Sequence, residues 1–91
     1  MLSEIPINLQ MVNKKDLDKE IMRAAMIAEL DAVNLYESMA ALTDSEDLKV
    51  ILLDVAKEEK VHVAMFQTVL MEVDREYMKI MADYALGKGR M

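Results

Sequence analysis

Apolar residues recur every three or four positions over two long stretches of the chain, which is the spacing of an amphipathic α-helix. The pattern predicts helix one over residues 14–42 and helix two over residues 45–72. Neither Gly nor Pro occurs from Ile7 to Leu86, so the two strongest helix breakers are confined to the ends and the fold is predicted to be all-α. The apolar stripe of helix one contains Met22, Ala25, Met26, Val33, Tyr36 and Ala40, and that of helix two contains Leu48, Ile51, Val55, Phe66, Val69 and Leu70.

Short polar segments mark the ends of the predicted helices. Asn13 followed by Asp16 resembles a capping arrangement for helix one, and the Thr-Asp-Ser turn at 43–45 can cap helix two. Asp74 can cap a short third helix, and Gly87 stands where a C-terminal cap is expected. Two long helices joined by a tight turn are expected to run antiparallel. The predicted segments are an N-terminal arm (1–13), a helical hairpin (14–72) and a short C-terminal helix with a tail (73–91).

Three ionisable residues interrupt the two apolar stripes at one shared level. Glu29 lies on helix one, and Glu59 and His62 form a Glu-x-x-His motif on helix two. Glu29 lies 15 residues before Asp44 in the turn, and Glu59 lies 15 residues after it. Equal path lengths on antiparallel helices place both carboxylates about 22 Å from the turn. His62 follows one helical turn further along on the same side, so we expect the three side chains to converge.

Composition and charge exclude several classes of protein. Ninety-one residues form one small domain that buries a core poorly on its own. The chain contains no Cys, which excludes disulfides, iron–sulfur clusters, thiolate zinc sites and a rubredoxin-type module. The formal charge of −6 favours cations over nucleic acid or anionic membranes as partners. Neither a signal peptide at residues 1–4 nor a membrane-spanning run is recognisable, so a cytoplasmic location is expected.

The chemistry of the three residues suits a divalent transition ion that must also bind oxygen. Such an ion takes carboxylate and imidazole ligands and keeps open positions. Di-iron sites in four-helix bundles use one Glu from each of two helices and a Glu-x-x-His from each of the other two. One chain supplies one of each, so a two-fold dimer would hold Glu29, Glu59 and His62 twice. Two divalent ions would neutralise its four carboxylates, although which Glu bridges them and whether the metal is iron, manganese, zinc or calcium stay open.

Less specific interpretations of the same residues exist. A Glu-x-x-His motif arises often by chance in Glu-rich helices, and a lone His on an apolar stripe is commonly a hydrogen-bonded core residue. The two carboxylates at the stripe edges can also bend out to water. Glu58 is an alternative ligand that lies further off the stripe. Tyr36 is expected in the core, with contact to the ligands as the alternative, while Asp31 and Glu37 are expected to be surface charges.

Residues 26–37 (MIAELDAVNLYE) and 51–62 (ILLDVAKEEKVH) together strongly resemble the encapsulated ferritins. The likeness is greatest to the ferritin-like segment at the N-terminus of some archaeal encapsulin shell proteins. This resemblance implies a ferritin-like four-helix bundle completed by homodimerisation, with a ferroxidase centre between two chains and further assembly into a ring, typically a decamer. It implies that Glu29, Glu59 and His62 are the iron ligands, that Tyr36 lies near the centre, and that Asp31 is one acid of an outer site through which iron enters.

The chain departs from the encapsulated ferritin pattern at three places. Ala28 stands where relatives carry the second acid of the outer iron-entry site, and Leu35 stands where some carry a tryptophan. Residues 84–91 (YALGKGRM) only loosely resemble the Gly-Ser-Leu-type tag that docks free encapsulated ferritins inside the shell. The outer acidic site and the route into a shell are therefore open at this point.

The function implied by the resemblance is oxidation of Fe(II) to Fe(III) by O₂ at a di-iron centre holding two irons per dimer. The product would pass to a storage compartment built from encapsulin shell protein, either fused or separate, within the cytoplasm. A rubrerythrin-like peroxide scavenger is the alternative enzyme, although the electron-supplying Cys₄ module is missing from this chain. A helical assembly module that zinc, calcium or manganese merely staples together is the non-catalytic alternative.

Overall fold

The computed structural model describes residues 13–89 and consists there of helices joined by very short connections. A 3-10 turn at Lys14–Asp16 leads into α1 (Leu17–Leu42), which is followed by α2 (Glu46–Val73) and α3 (Arg75–Gly89). No β-strand is present within residues 13–89. α1 packs along α2, whereas α3 contacts α2 much less. The predicted all-α hairpin with a short third helix is confirmed, while most of the predicted arm lies outside the described residues.

The turn between α1 and α2 is closed by the polar residues that the sequence places there. Ser45 Oγ accepts a hydrogen bond of 3.2 Å from the Leu48 backbone N–H, which caps α2 as predicted. Thr43 Oγ1 accepts a hydrogen bond of 3.1 Å from the Ser45 N–H, and the Thr43 N–H donates to the Met39 carbonyl at 3.1 Å. These bonds satisfy backbone groups that helix ends otherwise leave without partners. The turn therefore fixes how α1 and α2 are aligned.

Two predicted helix ends differ from the structure. α1 begins at Leu17 rather than at residue 14, because the Asp16 N–H bonds to the Asn13 carbonyl at 2.9 Å and closes a 3-10 turn first. Gly87 does not end α3, which continues to Gly89. A glycine cap needs a positive φ, and no residue in the described part of the chain has one. Gly87 therefore lies inside the helix, and its predicted role as a cap is wrong.

The hairpin buries few apolar side chains within the described residues. Several apolar residues of the predicted stripes remain exposed, including Leu48, Ile51 and Val69 on α2. Two helices bury only the line along which they touch, so residues beside that line stay open within one chain. None of the helices in residues 13–89 is long and apolar enough to span a lipid bilayer. The buried apolar residues of the described chain are Ala24, Val33, Ala40, Ala56 and Leu70.

A single residue separates α2 from α3. Asp74 has extended backbone angles (φ −122°, ψ 90°) between two helical segments, and it is only 7% exposed. Its Oδ1 accepts a hydrogen bond of 3.1 Å from the Tyr77 N–H, which confirms the predicted cap of α3. Its Oδ2 lies 2.7 Å from Nη2 of Arg23 on α1. One carboxylate therefore connects all three helices at the end of the hairpin opposite the turn.

Candidate metal centre

The structure brings Glu29, Glu59 and His62 together in the middle of the hairpin. His62 Nδ1 lies 3.2 Å from Glu29 Oε2 across the helix pair and 3.5 Å from Glu59 Oε2 on its own helix. One ligand atom from each of the three residues lies within 4.8 Å of the other two. Donor atoms this close together could hold one metal ion between them after small side-chain adjustments. The expected convergence at one level is therefore present in the geometry.

The three side chains differ in their access to solvent. The Glu29 and Glu59 side chains are 23% and 18% exposed, whereas His62 is 45% exposed. The carboxylates are thus largely shielded by the hairpin, while the imidazole lies at its surface. Ile51 and Val69 lie 11 and 7 residues from His62, close to whole numbers of helical turns, so all three share one face of α2. Both apolar residues are exposed, so an open apolar surface borders the imidazole.

The carboxyl groups of Glu29 and Glu59 are so close that the negative charge of Glu29 makes ionisation of Glu59 less favourable. A hydrogen bond with the Glu29 side chain raises the pKa of Glu59, and burial and the negative charge of Glu29 raise it further, while His62 opposes these effects. A proton on Glu59 relieves its repulsion with Glu29 when no cation is nearby. A divalent cation held by these residues would supply the same relief with two positive charges and would displace the proton. Two oxygens and one imidazole nitrogen therefore form a ligand set that suits a divalent transition ion.

The other predicted residues lie around this group rather than in it. Tyr36 is half-buried on α1, seven residues closer to the turn than Glu29, and Asp31 is also half-buried. Neither belongs to the one group of three or more metal-ligating residues found within residues 13–89. Glu58 is exposed beside Glu59 and is likewise outside the group. Roles for Tyr36 near the centre and for Asp31 in an outer iron-entry site therefore stay predictions.

One cross-hairpin ion pair could not be predicted from equal path lengths. Lys60 Nζ on α2 lies 2.8 Å from Glu37 Oε2 on α1, although Glu37 is 7 residues before Asp44 and Lys60 is 16 residues after it. Side chains on a helix lean toward its N-terminus. On antiparallel helices the two long side chains therefore lean toward each other and span the difference in height. The sequence offered only the opposite charges of Lys60 and Glu37 as a hint of this pair, because the two residues lie at different distances from the turn.

Comparison with known proteins identifies the family. The family model described as EncFtn-like matches residues 6–86. The chain belongs to the EncFtn-like family. This match confirms the resemblance to encapsulated ferritins that the motifs at residues 26–37 and 51–62 predict.

Two curated relatives of this EncFtn-like chain are proteins of encapsulin compartments. A ferritin-like-encapsulin shell fusion protein of Pyrococcus furiosus is 47% identical over 77 residues, covering 79% of this chain and 22% of the relative. The encapsulin nanocompartment cargo protein EncC of Myxococcus xanthus is 41% identical over 69 residues, covering 72% of this chain and 53% of the relative. The EncFtn-like chain thus spans about a fifth and about half of the lengths of these two proteins.

A solved structure supports the same fold. The crystal structure of the encapsulated ferritin domain from Pyrococcus furiosus matches the EncFtn-like chain with a TM-score of 0.75 and 42% sequence identity. The match covers 88% of this chain and 87% of the other. The two chains are therefore similar in sequence as well as in fold. The helical hairpin with its third helix is therefore the encapsulated ferritin architecture.

Proposed function

We propose that the protein is a ferroxidase that oxidises Fe(II) to Fe(III) with O₂ at a di-iron centre formed between two copies of the chain. The observation that carries this proposal is the convergence of Glu29, Glu59 and His62 within 4.8 Å. Two carboxylates and an imidazole are ligands that iron accepts while keeping positions open for oxygen. Iron is the substrate here, and the three side chains bind and position it.

The same three residues constitute only half of a di-iron site. Di-iron bundles use four carboxylates and two histidines, and one chain offers two carboxylates and one histidine in this group. A second copy facing the first across a two-fold axis would supply the other half. The exposed Ile51 and Val69 on the His62 face of α2 support such a partner, because burying them against another hairpin is favourable.

The charges of the dimeric site also balance. Four carboxylates carry about four negative charges, which is very costly away from water unless cations are present. Two Fe(II) ions bring four positive charges. Each O₂ takes two electrons when it leaves as hydrogen peroxide and four when it leaves as water, so one O₂ oxidises two or four Fe(II). Each iron would have one His62, and either Glu29 or Glu59 would bridge the pair.

The names of two relatives support a proposal for the destination of the oxidised iron. One relative is named as a fusion with an encapsulin shell protein and the other as an encapsulin nanocompartment cargo protein. We infer that this protein likewise works with an encapsulin shell, fused or separate, and delivers Fe(III) into that compartment. Dimers would assemble further into a ring, with a decamer as the expected size. Tyr36 would lie beside the di-iron centre, and Asp31 would attract incoming iron.

Oxygen uptake tests the proposed reaction. Fe(II) added to the wild-type protein should consume O₂ rapidly, with two irons oxidised in the first phase per dimer, as followed by stopped-flow absorbance and an oxygen electrode. Glu29→Ala, Glu59→Ala and His62→Ala should each abolish the rapid phase, whereas Glu58→Ala, which removes an exposed neighbouring carboxylate, should retain it.

The outcomes separate the proposed function from its alternatives. Iron binding without O₂ uptake would indicate a metal-stapled assembly module. Oxidation that depends on added peroxide and not on O₂ would indicate a peroxide scavenger. Wild-type rates in His62→Ala would contradict the assignment of the site.

A further inference from the structure

The boundary between α2 and α3 is bent although its sequence contains no helix breaker. Neither Gly nor Pro occurs between Val69 and Leu86, and sharp bends in helices are normally caused by such residues. Residues 72–76 (EVDRE) are all compatible with a helix. The bend is therefore held by the contacts of the Asp74 side chain, which include its cap of α3, and not by a residue that is unable to be helical.

The backbone on both sides of Asp74 already has helical hydrogen bonds. The Asp74 N–H donates to the Leu70 carbonyl at 2.8 Å, and the Met78 N–H donates to the Asp74 carbonyl at 3.1 Å. Both bonds join residues four apart, as in a continuous α-helix. Only Asp74 itself has extended angles, with ψ at 90°. Turning the backbone of this one residue to helical values would let the N–H groups of residues 75–77 bond to the carbonyls of residues 71–73.

Two contacts of the Asp74 carboxylate oppose that change. Oδ1 accepts the Tyr77 N–H at 3.1 Å, which occupies the donor that a continuous helix would direct to the carbonyl of Val73. Oδ2 lies 2.7 Å from Arg23 Nη2, which ties the boundary to α1. The first contact competes directly with a continuous helix, because the Tyr77 N–H is already bonded to the carboxylate. The second holds that carboxylate against α1 in the position from which it caps α3.

The straight form also has features that would stabilise it. Arg23 Nη1 lies 3.8 Å from Glu20 Oε1 one turn away, so the guanidinium keeps a partner when Asp74 leaves. The bent form leaves an open groove of about 360 Å³ where the three helices meet, lined by Arg23 and Asp74 together with the apolar side chains of Met26, Ile27, Leu30 and Leu70 and the Tyr77 side chain. Because α3 contacts the hairpin so little, straightening would break few packing contacts.

We propose that Asp74 and Arg23 form a latch that holds the α2–α3 boundary bent, and that a single continuous helix over residues 46–89 is its alternative state. A helix of 44 residues would be about 66 Å long, which exceeds the longest dimension of 46 Å in the bent molecule. The latch decides the direction of α3 and therefore which surface the Tyr77 and Tyr84 side of α3 can contact.

Distances between spin labels test the latch. The chain has no native Cys, so Lys57→Cys and Ala85→Cys, both at exposed positions, can be labelled without background. A straight helix separates these 28 residues by about 42 Å, and any bend shortens the distance. Dilution of labelled protein with excess unlabelled protein restricts double electron–electron resonance to distances within one chain.

The population of the straight form should increase with the number of Asp74 contacts that a variant removes. Asp74→Ala removes both contacts and should raise the population near 42 Å at least about fivefold, the factor expected from losing a helix N-cap. Arg23→Ala and Asp74→Asn should have smaller effects, since Asp74→Asn can still cap α3. Asp83→Ala, which removes an exposed ion pair with Lys79 on α3, is the matched control and should behave as the wild type.

The spin-label distances and the helix content of the Asp74 and Arg23 variants together decide whether the latch exists. Wild-type distances in a folded Asp74→Ala variant would overturn it. Loss of helix content by circular dichroism in Asp74→Ala would also count against it, because straightening conserves every helical residue. A longer distance in Arg23→Ala with unchanged helix content would support the latch independently.

Discussion

His62 on α2 reaches across the hairpin to Glu29 on α1, with 3.2 Å between Nδ1 and Oε2. The two residues are 33 positions apart, so their contact requires the two helices to be aligned in one register. The turn capped by Ser45 fixes that register at one end, and the Arg23–Asp74 ion pair ties α1 to the far end of α2. The candidate metal site lies between these two fixed points.

The raised pKa of Glu59 predicts how the stability of the metal-free protein depends on pH. The pKa of Glu59 is raised from its ordinary value of 4.5, mainly by its hydrogen bond with Glu29. The folded chain therefore binds the proton more tightly than the unfolded chain, and this adds stability at low pH that is lost as pH rises through the raised pKa. Glu59→Gln keeps a neutral group at every pH. Metal-free Glu59→Gln should therefore be at least as stable as the wild type at pH 7.

Thermal unfolding by circular dichroism in the presence of a chelator, from pH 4 to pH 8, measures this difference. The advantage of Glu59→Gln should shrink toward pH 4. Glu58→Gln, at the exposed neighbouring carboxylate, should follow the wild-type profile. Lower stability of Glu59→Gln than wild type at pH 7 would show that the Glu59 charge is stabilised by contacts other than these.

The lowered pKa of Asp74 predicts the opposite dependence of stability on pH. The Tyr77 backbone N–H, together with Arg23, holds the pKa of Asp74 below its ordinary value of 3.8. The carboxylate therefore contributes stability above that value, and the contribution is lost as pH falls through the lowered pKa. Asp74→Asn should unfold at a lower temperature than the wild type at pH 7, and the difference should shrink as pH falls below 3.8. Asp83→Asn is the matched exposed control. A difference between Asp74→Asn and the wild type that stays constant as pH falls below 3.8 would refute the assignment.

Metal is expected to drive dimer formation. In a dimer the carboxylates of two half-sites repel each other until cations arrive, so metal binding and association are linked. Light scattering should show a larger species with Fe(II) under anaerobic conditions than in chelator. Glu29→Gln should weaken this response, whereas Glu58→Gln should leave it unchanged. An assembly size that is indifferent both to metal and to the Glu29 substitution would contradict the linkage.

The isolated chain is expected to oxidise iron without storing it. One hairpin and a short helix provide half of a four-helix bundle, and a ring of such dimers would be open at its axis. Adding tens of Fe(II) per subunit in air should therefore give a visible precipitate. Co-assembly with an encapsulin shell should keep the same amount of iron soluble. A soluble, electron-dense mineral core inside particles of the isolated protein would show that it is a self-sufficient cage.

Much of the fold was predictable from local patterns. The 3.6-residue periodicity, the absence of Gly and Pro between the ends, and capping residues such as Ser45 and Asp74 all act within a few positions of the chain. Gly87 was predicted wrongly because a glycine permits a left-handed cap without requiring one, and α3 continues through it to Gly89. Contacts such as Arg23–Asp74 join residues 51 positions apart, and no local rule contains them.

The candidate site was predictable because its level and its face could both be counted from the turn. Glu29 and Glu59 lie at equal path lengths from Asp44, and His62 follows by one turn. The exposure of Ile51 on the same face of α2 was not predictable, because the stripe pattern gives the apolar side of a helix and not what covers it. The structure adds that a single hairpin leaves this side open beside His62.

We propose that two chains share one di-iron site, and anomalous diffraction at the iron edge tests this sharing most directly. Crystals grown or soaked anaerobically with Fe(II) should show two iron peaks between a pair of hairpins. Each iron should be bound by His62 of one chain, with Glu29 and Glu59 of both chains completing the site. Iron bound by a single chain alone, or iron peaks away from these three residues, would contradict the account.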